Sequence, residues 1–144
     1  MSLMGEWTAI VLAALLGATG AVAADAGAPD AALVADGYRQ WEQGRLEEAR
    51  KSFEQAIAAN PRSVEAHLKL GGLLLANQRY AEAIPVYQRL ISLDANNAKA
   101  WIALGLAYRH ANQPDLARAA FAEALRIEPE RQAQLAGLLD SPRQ

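Results

Sequence analysis

Residues 98–130 read AKAWIALGLAYRHANQPDLARAAFAEALRIEPE, and this stretch decides the fold. Apolar residues recur at helical spacing on both sides of a polar turn at 112–113, which predicts a pair of helices. Gly105 interrupts the first helix, where a glycine costs about 1 kcal/mol relative to alanine. Pro114 suits the first turn of the second helix, and Pro129 closes that helix. The stretch therefore predicts a helical hairpin that ends at a proline.

The same pattern recurs upstream at one fixed period, the separation of Gly71 from Gly105, which we call the repeat length. Small residues that recur inside helices predict close helix approach, and an aromatic column is predicted to fill the space beside them. Five columns align: Gly37, Gly71 and Gly105; Ala49, Ala83 and Ala117; Phe53, Tyr87 and Phe121; Ala56, Leu90 and Ala124; Pro61, Ala95 and Pro129. We expect first helices at 31–43, 64–76 and 98–110, and second helices at 46–59, 80–93 and 114–127.

On these residues the chain resembles the tetratricopeptide repeat family. The third repeat carries the family pattern most fully, with Trp101, Leu104, Gly105, Tyr108, Ala117, Phe121, Ala124 and Pro129. The second repeat has His67 where the family favours Trp, and the first has Asp36 where it favours Leu. The resemblance implies an all-α fold, a right-handed α-solenoid of three helix pairs with a short C-terminal capping helix, preceded by an N-terminal hydrophobic helix.

This organisation divides the chain into four parts. The predicted parts are a signal peptide or transmembrane anchor at 1–24, a flexible spacer at 25–30, three repeats within 31–129 (30–63, 64–97 and 98–131), and a cap and tail at 130–144. In the last part, Leu135, Leu138 and Leu139 predict a short helix that covers the apolar end of the third repeat.

The N-terminal segment has two interpretations. Residues 7–24 contain no charged side chain, and as a helix they would span about 27 Å. A signal peptide would use the apolar run 10–16 and the Ala-Val-Ala site at 21–23. An uncleaved anchor would place a stripe of small residues against a second membrane helix; these are Ala9, Ala13, Gly17 and Ala21. Both interpretations place residues 25–144 in the bacterial periplasm, either free or on the periplasmic side of the inner membrane.

Composition argues against several classes of function. The absence of cysteine excludes disulfides and thiolate metal sites. The net charge of −2, with no Lys or Arg before residue 37, offers no basic field for nucleic acid. His67 and His110 belong to different repeats and lack a second ligand at helical spacing, and neither a nucleophile elbow nor a phosphate loop is present. We therefore expect no catalytic residue, no metal, no cofactor and no enzymatic activity.

The resemblance also implies a binding surface, because in this family the first helices line a concave groove that holds a segment of a partner protein. Carried onto this chain, the groove residues are Val34, Tyr38, Trp41, Leu68, Gly72, Leu75, Lys99, Ile102, Leu106 and Arg109. A largely apolar strip with Trp, Tyr and Arg is typical of protein interfaces. The alternative is that Tyr38 and Trp41 pack against residues 25–32 as an N-terminal cap.

One subgroup of the family grips the terminal carboxylate of chaperone tails with Lys, Asn and Arg. The corresponding positions hold Val34, Tyr38, Lys69, Lys99 and Ala103, of which only Lys99 fits, so this function is not expected. The sequence predicts an interaction scaffold outside the cytoplasm that binds a peptide segment during envelope or membrane-complex assembly. The alternative is an accessory subunit of a membrane protein complex, held there by the N-terminal helix.

Overall fold

The computed structural model describes residues 28–140, which form helices joined by short turns. Six helices build three antiparallel pairs, and a short helix follows a single 3₁₀ turn at Pro129–Arg131. The helices are α1 Pro29–Glu42, α2 Leu46–Ala59, α3 Val64–Ala76, α4 Tyr80–Leu93, α5 Ala98–His110, α6 Pro114–Ile127 and α7 Gln132–Leu139. Within these residues, none of the helices combines the length and the apolar character needed to cross a bilayer.

The first helix begins earlier than predicted. Residues 29 and 30 were assigned to the spacer 25–30, but they form the first turn of α1. Pro29 suits this position because its missing N–H would have no partner inside the helix. Asp30 is only 6% exposed, and its carboxylate accepts a hydrogen bond from the Asn60 side chain at 3.3 Å. The prediction failed here because it overlooked this contact with the residue that follows α2.

The glycine and aromatic columns interlock in all three repeats. A Cβ atom added to Gly37 would lie 2.6 Å from Phe53 Cε1, one on Gly71 would lie 2.6 Å from Tyr87 Cζ, and one on Gly105 would lie 2.5 Å from Phe121 Cε1. All three rings are buried, and burial raises the pKa of Tyr87 to about 12. The predicted close approach is therefore confirmed, and the group that fills the space is the ring on the second helix of the same pair.

The three turns within the helix pairs share one backbone conformation. Gly44, Gln78 and Asn112 occupy the same position in successive repeats, and all have positive φ, at 74°, 59° and 61°. In the first turn the Gly44 N–H donates to the Trp41 carbonyl, and the Arg45 N–H donates to that of Gln40. This is the Schellman arrangement, which closes the end of a helix. The residue with positive φ lies at the same repeat position in all three turns, and only in the first turn is it a glycine.

An ionic network connects α2 to α4 on the outer side of the first two pairs. Arg50 lies 2.8 Å from both Glu54 and Glu82, and Arg79 lies 2.7 Å from Glu82 and 3.4 Å from Glu47. Hydrogen bonds from Arg79 and Arg50 lower the pKa of Glu82. Two of these four pairs, Arg50 with Glu82 and Arg79 with Glu47, join separate repeats.

The last helix covers the end of the third pair, as predicted. Leu135 is fully buried against α6 in a cluster with Phe121 and Ala124. Leu138 and Leu139 are half-buried at the edge of the same cluster. Helix α7 therefore shields apolar surface that the third repeat would otherwise expose to water.

Adjacent glycines of α3 give a matched test of the interlock. We expect Gly71→Ala to lower the free energy of unfolding by about 1–3 kcal/mol, because its Cβ would overlap the buried Tyr87 ring. We expect Gly72→Ala to raise it by up to about 1 kcal/mol, since its Cβ would make ordinary contact with Trp41 at 3.5 Å and alanine favours the helix. Urea unfolding followed by circular dichroism measures both, and equal effects would contradict the interlock.

The buried carboxylate of α1 predicts a pH dependence of stability. Hydrogen bonds from Ser63 and Asn60 lower the pKa of Asp30, against the opposing effect of burial. Ionised Asp30 therefore stabilises the fold above its unfolded pKa of about 4, and this contribution is lost as the pH falls toward the lower folded value. We expect Asp30→Asn to be less stable than the parent at neutral pH and to lose less stability on acidification. If the free energies of unfolding of Asp30→Asn and of the parent differ by the same amount at every pH between neutral pH and pH 3, the role of Asp30 is disproved.

Candidate functional site

The first helices of the three pairs form one continuous wall. Helix α1 contacts α3, and α3 contacts α5, although a second helix lies between each of these pairs along the chain. Of the ten predicted groove residues in this wall, nine keep exposed or half-exposed side chains or, for Gly72, backbone. Val34 is the exception, because it is 4% exposed and packs in the main core. Its position on α1 turns it toward the core, so it supports the wall from behind and does not line it.

An aromatic corner occupies the end of the wall formed by α1. Tyr38 is 44% exposed, and the Lys69 ammonium of α3 lies over its ring, 4.6 Å from the centroid. Trp41 packs against Phe53 with the two rings nearly perpendicular and their centroids 6.5 Å apart, and it reaches across to Gly72. The Trp41 indole thus lies close to the Gly72 backbone, between the first and second repeats. Tyr38, Trp41, Lys69 and Gly72 together form what we call the aromatic corner.

These contacts bear on the two interpretations of Tyr38 and Trp41. Both side chains make contacts with α3, which belongs to the second repeat, as the groove interpretation requires. Part of the alternative, packing against residues 25–27, lies outside the described residues. Within residues 28–32, Pro29, Ala31 and Ala32 are exposed. The groove and the N-terminal cap therefore both remain predictions.

The remainder of the wall is apolar in its middle and basic at its third-repeat end. Leu68 and Leu75 are half-buried and pack partly on the main core. Ile102 and Leu106 are half-buried and pack on the cluster of Phe121, Ala124 and Leu135. Lys99 and Arg109 are exposed at the two ends of α5. The wall thus combines half-buried apolar side chains in its middle with exposed cations at the two ends of α5.

Sequence reasoning did not include Lys69 among the groove residues. It was considered only as a position of the chaperone-tail clamp, where it did not fit. The structure brings its ammonium onto the most exposed aromatic ring of the wall. The available signal was its position directly after Leu68, on the edge of the same helix face. Such a contact depends on the approach of α1 and α3, which the sequence pattern does not specify in detail.

Each of the two histidines contacts another group of the protein. His67 is 4% exposed, and its Nδ1 lies 2.7 Å from the Ser63 carbonyl, so an Nδ1–H can donate to that oxygen. His110 stacks on Tyr80, with ring centroids 4.4 Å apart. The part of the chain that the structure describes contains no group of His, Asp and Glu arranged to hold a metal ion. The predicted membrane contacts Ala9, Ala13, Gly17 and Ala21 lie outside the described residues.

Two sequence models of the tetratricopeptide repeat match the chain, over residues 34–98 and 74–140. The chain is a tetratricopeptide repeat protein. Human protein O-mannosyl-transferase TMTC3 is 32% identical to it over 94 residues, which are 65% of this chain and 10% of that protein. This tetratricopeptide repeat chain therefore spans about a tenth of the length of that curated relative.

Solved tetratricopeptide structures share the fold. The first tetratricopeptide domain of Spaghetti (RPAP3), bound to an HSP90 peptide, has a TM-score of 0.69 at 19% identity, covering 76% of this chain and 89% of that one. The Yersinia enterocolitica type III secretion chaperone SycD, in complex with a peptide of the translocator YopD, has a TM-score of 0.69 at 18% identity, covering 75% and 87%. At these identities the likeness concerns the fold.

Proposed function

We propose that this tetratricopeptide repeat protein is a scaffold that binds a segment of another protein in the groove formed by α1, α3 and α5. The observation that carries the proposal is the continuous inner wall, in which large apolar and aromatic side chains stay partly accessible between charged edges. Such surfaces mark protein-binding sites. Spaghetti and SycD, which share the fold, are both described with bound peptides, and this supports the same mode here.

The location and pathway are proposed from the sequence. The uncharged segment 7–24 supports a scaffold that works outside the cytoplasm, in the periplasm or anchored to the inner membrane. There it would serve envelope or membrane-complex assembly. The small-residue stripe Ala9, Ala13, Gly17 and Ala21 supports the second candidate, a membrane-anchored accessory subunit of a larger complex.

Substitutions on the inner wall test the binding site. Peptides selected from a random displayed library against the full chain serve as the probe. We expect Leu68→Glu and Leu106→Glu to weaken peptide binding at least about tenfold, because each places a carboxylate on the apolar floor. Tyr38→Ala, at an exposed position, is a milder change because it introduces no charge. Fluorescence anisotropy measures the peptide affinity of all three variants.

The chain offers a matched control for exposure. Leu116 on α6 is 49% exposed, close to the 44% of Tyr38, but it belongs to a second helix. Leu116→Glu should therefore keep the parental affinity, and circular dichroism should show helical spectra for every variant. Parental affinity in all inner-wall variants, or an equal loss in Leu116→Glu, would exclude the groove as the binding site.

Intact mass tests the proposed location. The untagged protein is recovered from its native host in two fractions, carbonate-washed membranes and soluble periplasm. A soluble species lacking residues 1–23 is expected if the N-terminal segment is a signal peptide, and a full-length membrane species is expected if it is an anchor. Recovery of the full-length chain in the cytosol alone would rule out both versions of the location.

A further inference from the structure

The outer surface of the solenoid changes from charged to apolar at the third repeat. Arg50 and Glu82 join the second helices of the first two pairs by an ion pair. One repeat length further along the chain, the corresponding positions hold Ile84 and Leu116. Leu116 is 49% exposed, and in the described part of the chain only Tyr38 of the inner wall is a comparably exposed large apolar side chain. Neither the core nor the groove accounts for a leucine at this position.

Leu116 lies beside a stripe of exposed residues on α6. Ala119 and Ala122 occupy the middle of this stripe, with Asp115 at its beginning and Arg126 at its end. These four residues recur at every third or fourth position, so they share one face of the helix. Small side chains in the middle of such a face let a second helix approach closely, because the distance between packed helices depends on the side chains at the contact.

The charges along α6 alternate in sign. Asp115 pairs with Arg118, and Arg126 pairs with Glu123, but the side chains of Asp115 and Arg126 remain 86% and 63% exposed. From the beginning of the helix to its end, the order is therefore negative, positive, negative, positive. A second α6 that runs in the opposite direction presents the opposite charge at each of these four positions. The face is thus complementary to itself in the antiparallel arrangement.

The other second helices lack this complementarity. The positions that correspond to the stripe of α6 have neither opposite charges at the two ends nor two small residues in the middle. They are Glu47, Lys51, Glu54 and Ala58 in α2, and Ala81, Pro85, Gln88 and Ser92 in α4. The repeat itself therefore does not require the pattern, which belongs to the third repeat alone.

We propose that a second copy of this chain docks on α6, with the two α6 helices antiparallel about a two-fold axis. Each copy places Asp115 opposite Arg126 of the other copy, and Ala119 opposite Ala122, with Leu116 shielded from water at the edge of the contact. A two-fold contact needs the same self-complementary patch on both copies, which this face provides. The new ion pairs extend those within each helix into networks, which stabilise more than isolated surface pairs.

The size of the contact predicts a weak dimer. A helix of 14 residues is about 21 Å long, so one helix face buries less than the roughly 800 Å² per partner of a standard interface. We expect a dissociation constant of about 10 µM or weaker. The contact uses a second helix, whereas the groove is formed by the first helices, so each copy keeps its groove accessible. The inference therefore does not depend on what the groove binds.

Single cysteines test the contact directly, because the chain contains none. Ala119→Cys and the control Ala58→Cys place a thiol at exposed positions of α6 and α2. The full chain is oxidised with copper phenanthroline, and non-reducing electrophoresis measures the disulfide-linked dimer. We expect Ala119→Cys to cross-link at least about tenfold faster, because docking raises the effective concentration of thiols beside the two-fold axis. Equal rates for the two variants would overturn the inference.

Exchange of the end charges tests the antiparallel pairing, with Ala119→Cys as the reporter. Asp115→Arg should slow cross-linking several-fold, because it places an arginine opposite Arg126 of the second copy. Adding Arg126→Asp should restore the rate, since opposite charges then face each other again, whereas the ion pairs within α6 stay broken.

Glu47→Arg on α2 is the matched control for this exchange. It occupies the same repeat position as Asp115, changes the net charge equally and also breaks an ion pair within the chain. Cross-linking through Ala119→Cys should therefore keep its rate. Absence of rescue in a double variant that stays helical by circular dichroism, or an equal loss in Glu47→Arg, would exclude the antiparallel contact.

Leu116→Glu distinguishes failure of this inference from failure of the proposed function. It places a carboxylate in the contact, so cross-linking through Ala119→Cys should slow several-fold, while the affinity of the groove for the selected peptides should stay parental. If this variant stays helical by circular dichroism and cross-links at the unchanged rate, the contact on α6 is excluded and the proposed groove is unaffected.

Discussion

The packing of an aromatic ring against a glycine, repeated once in every helix pair, is the constraint on which the rest of the structure depends. In each pair the ring of the second helix occupies the space where the glycine of the first helix lacks a side chain. Because ring and glycine keep the same separation along the chain in all three pairs, each pair has the same internal geometry. Identical pairs then stack with a constant relation, so their first helices align into one wall. The groove is thus a consequence of three buried contacts, none of which lies within it.

Departures from the repeat pattern concentrate in the first helix that the structure describes, α1. In α3 and α5, Leu73 and Ala107 are buried at positions that correspond to Arg39 in α1. Within the described residues no second helix precedes α1, so Arg39 is exposed, and it pairs with Asp36. Asp36 itself replaces the leucine found at Leu70 and Leu104. The unusual residues of the first repeat therefore coincide with the edge of the described solenoid.

Much of the architecture could be predicted from the sequence, because the repeat samples the same geometry three times. The interlock of Gly71 with Tyr87, the helix pairs and the apolar cap at Leu135 all leave signals in residue type and spacing. The contacts of Asp30 with Asn60 and of Lys69 with Tyr38 could not be read from the repeat pattern, since each depends on how closely two parts of the chain approach in space. The same holds for Gln78, whose positive φ is imposed by the turn that Gly44 and Asn112 share. Periodicity specifies what repeats, and it cannot specify contacts that occur once.

The capping helix shows how a small change of residue can interrupt this arrangement. Leu135, Leu138 and Leu139 lie one repeat length after Trp101, Leu104 and Gly105, so α7 occupies the register of a fourth first helix. At the glycine position it carries Leu139, whose side chain is half-buried on the apolar cluster. A leucine there takes the space that an aromatic ring needs in the other pairs, and a second helix of the same kind could not seat its ring beside α7. In α7 a leucine therefore replaces the glycine that accommodates the aromatic ring in each helix pair, and α7 covers the apolar end of the third repeat.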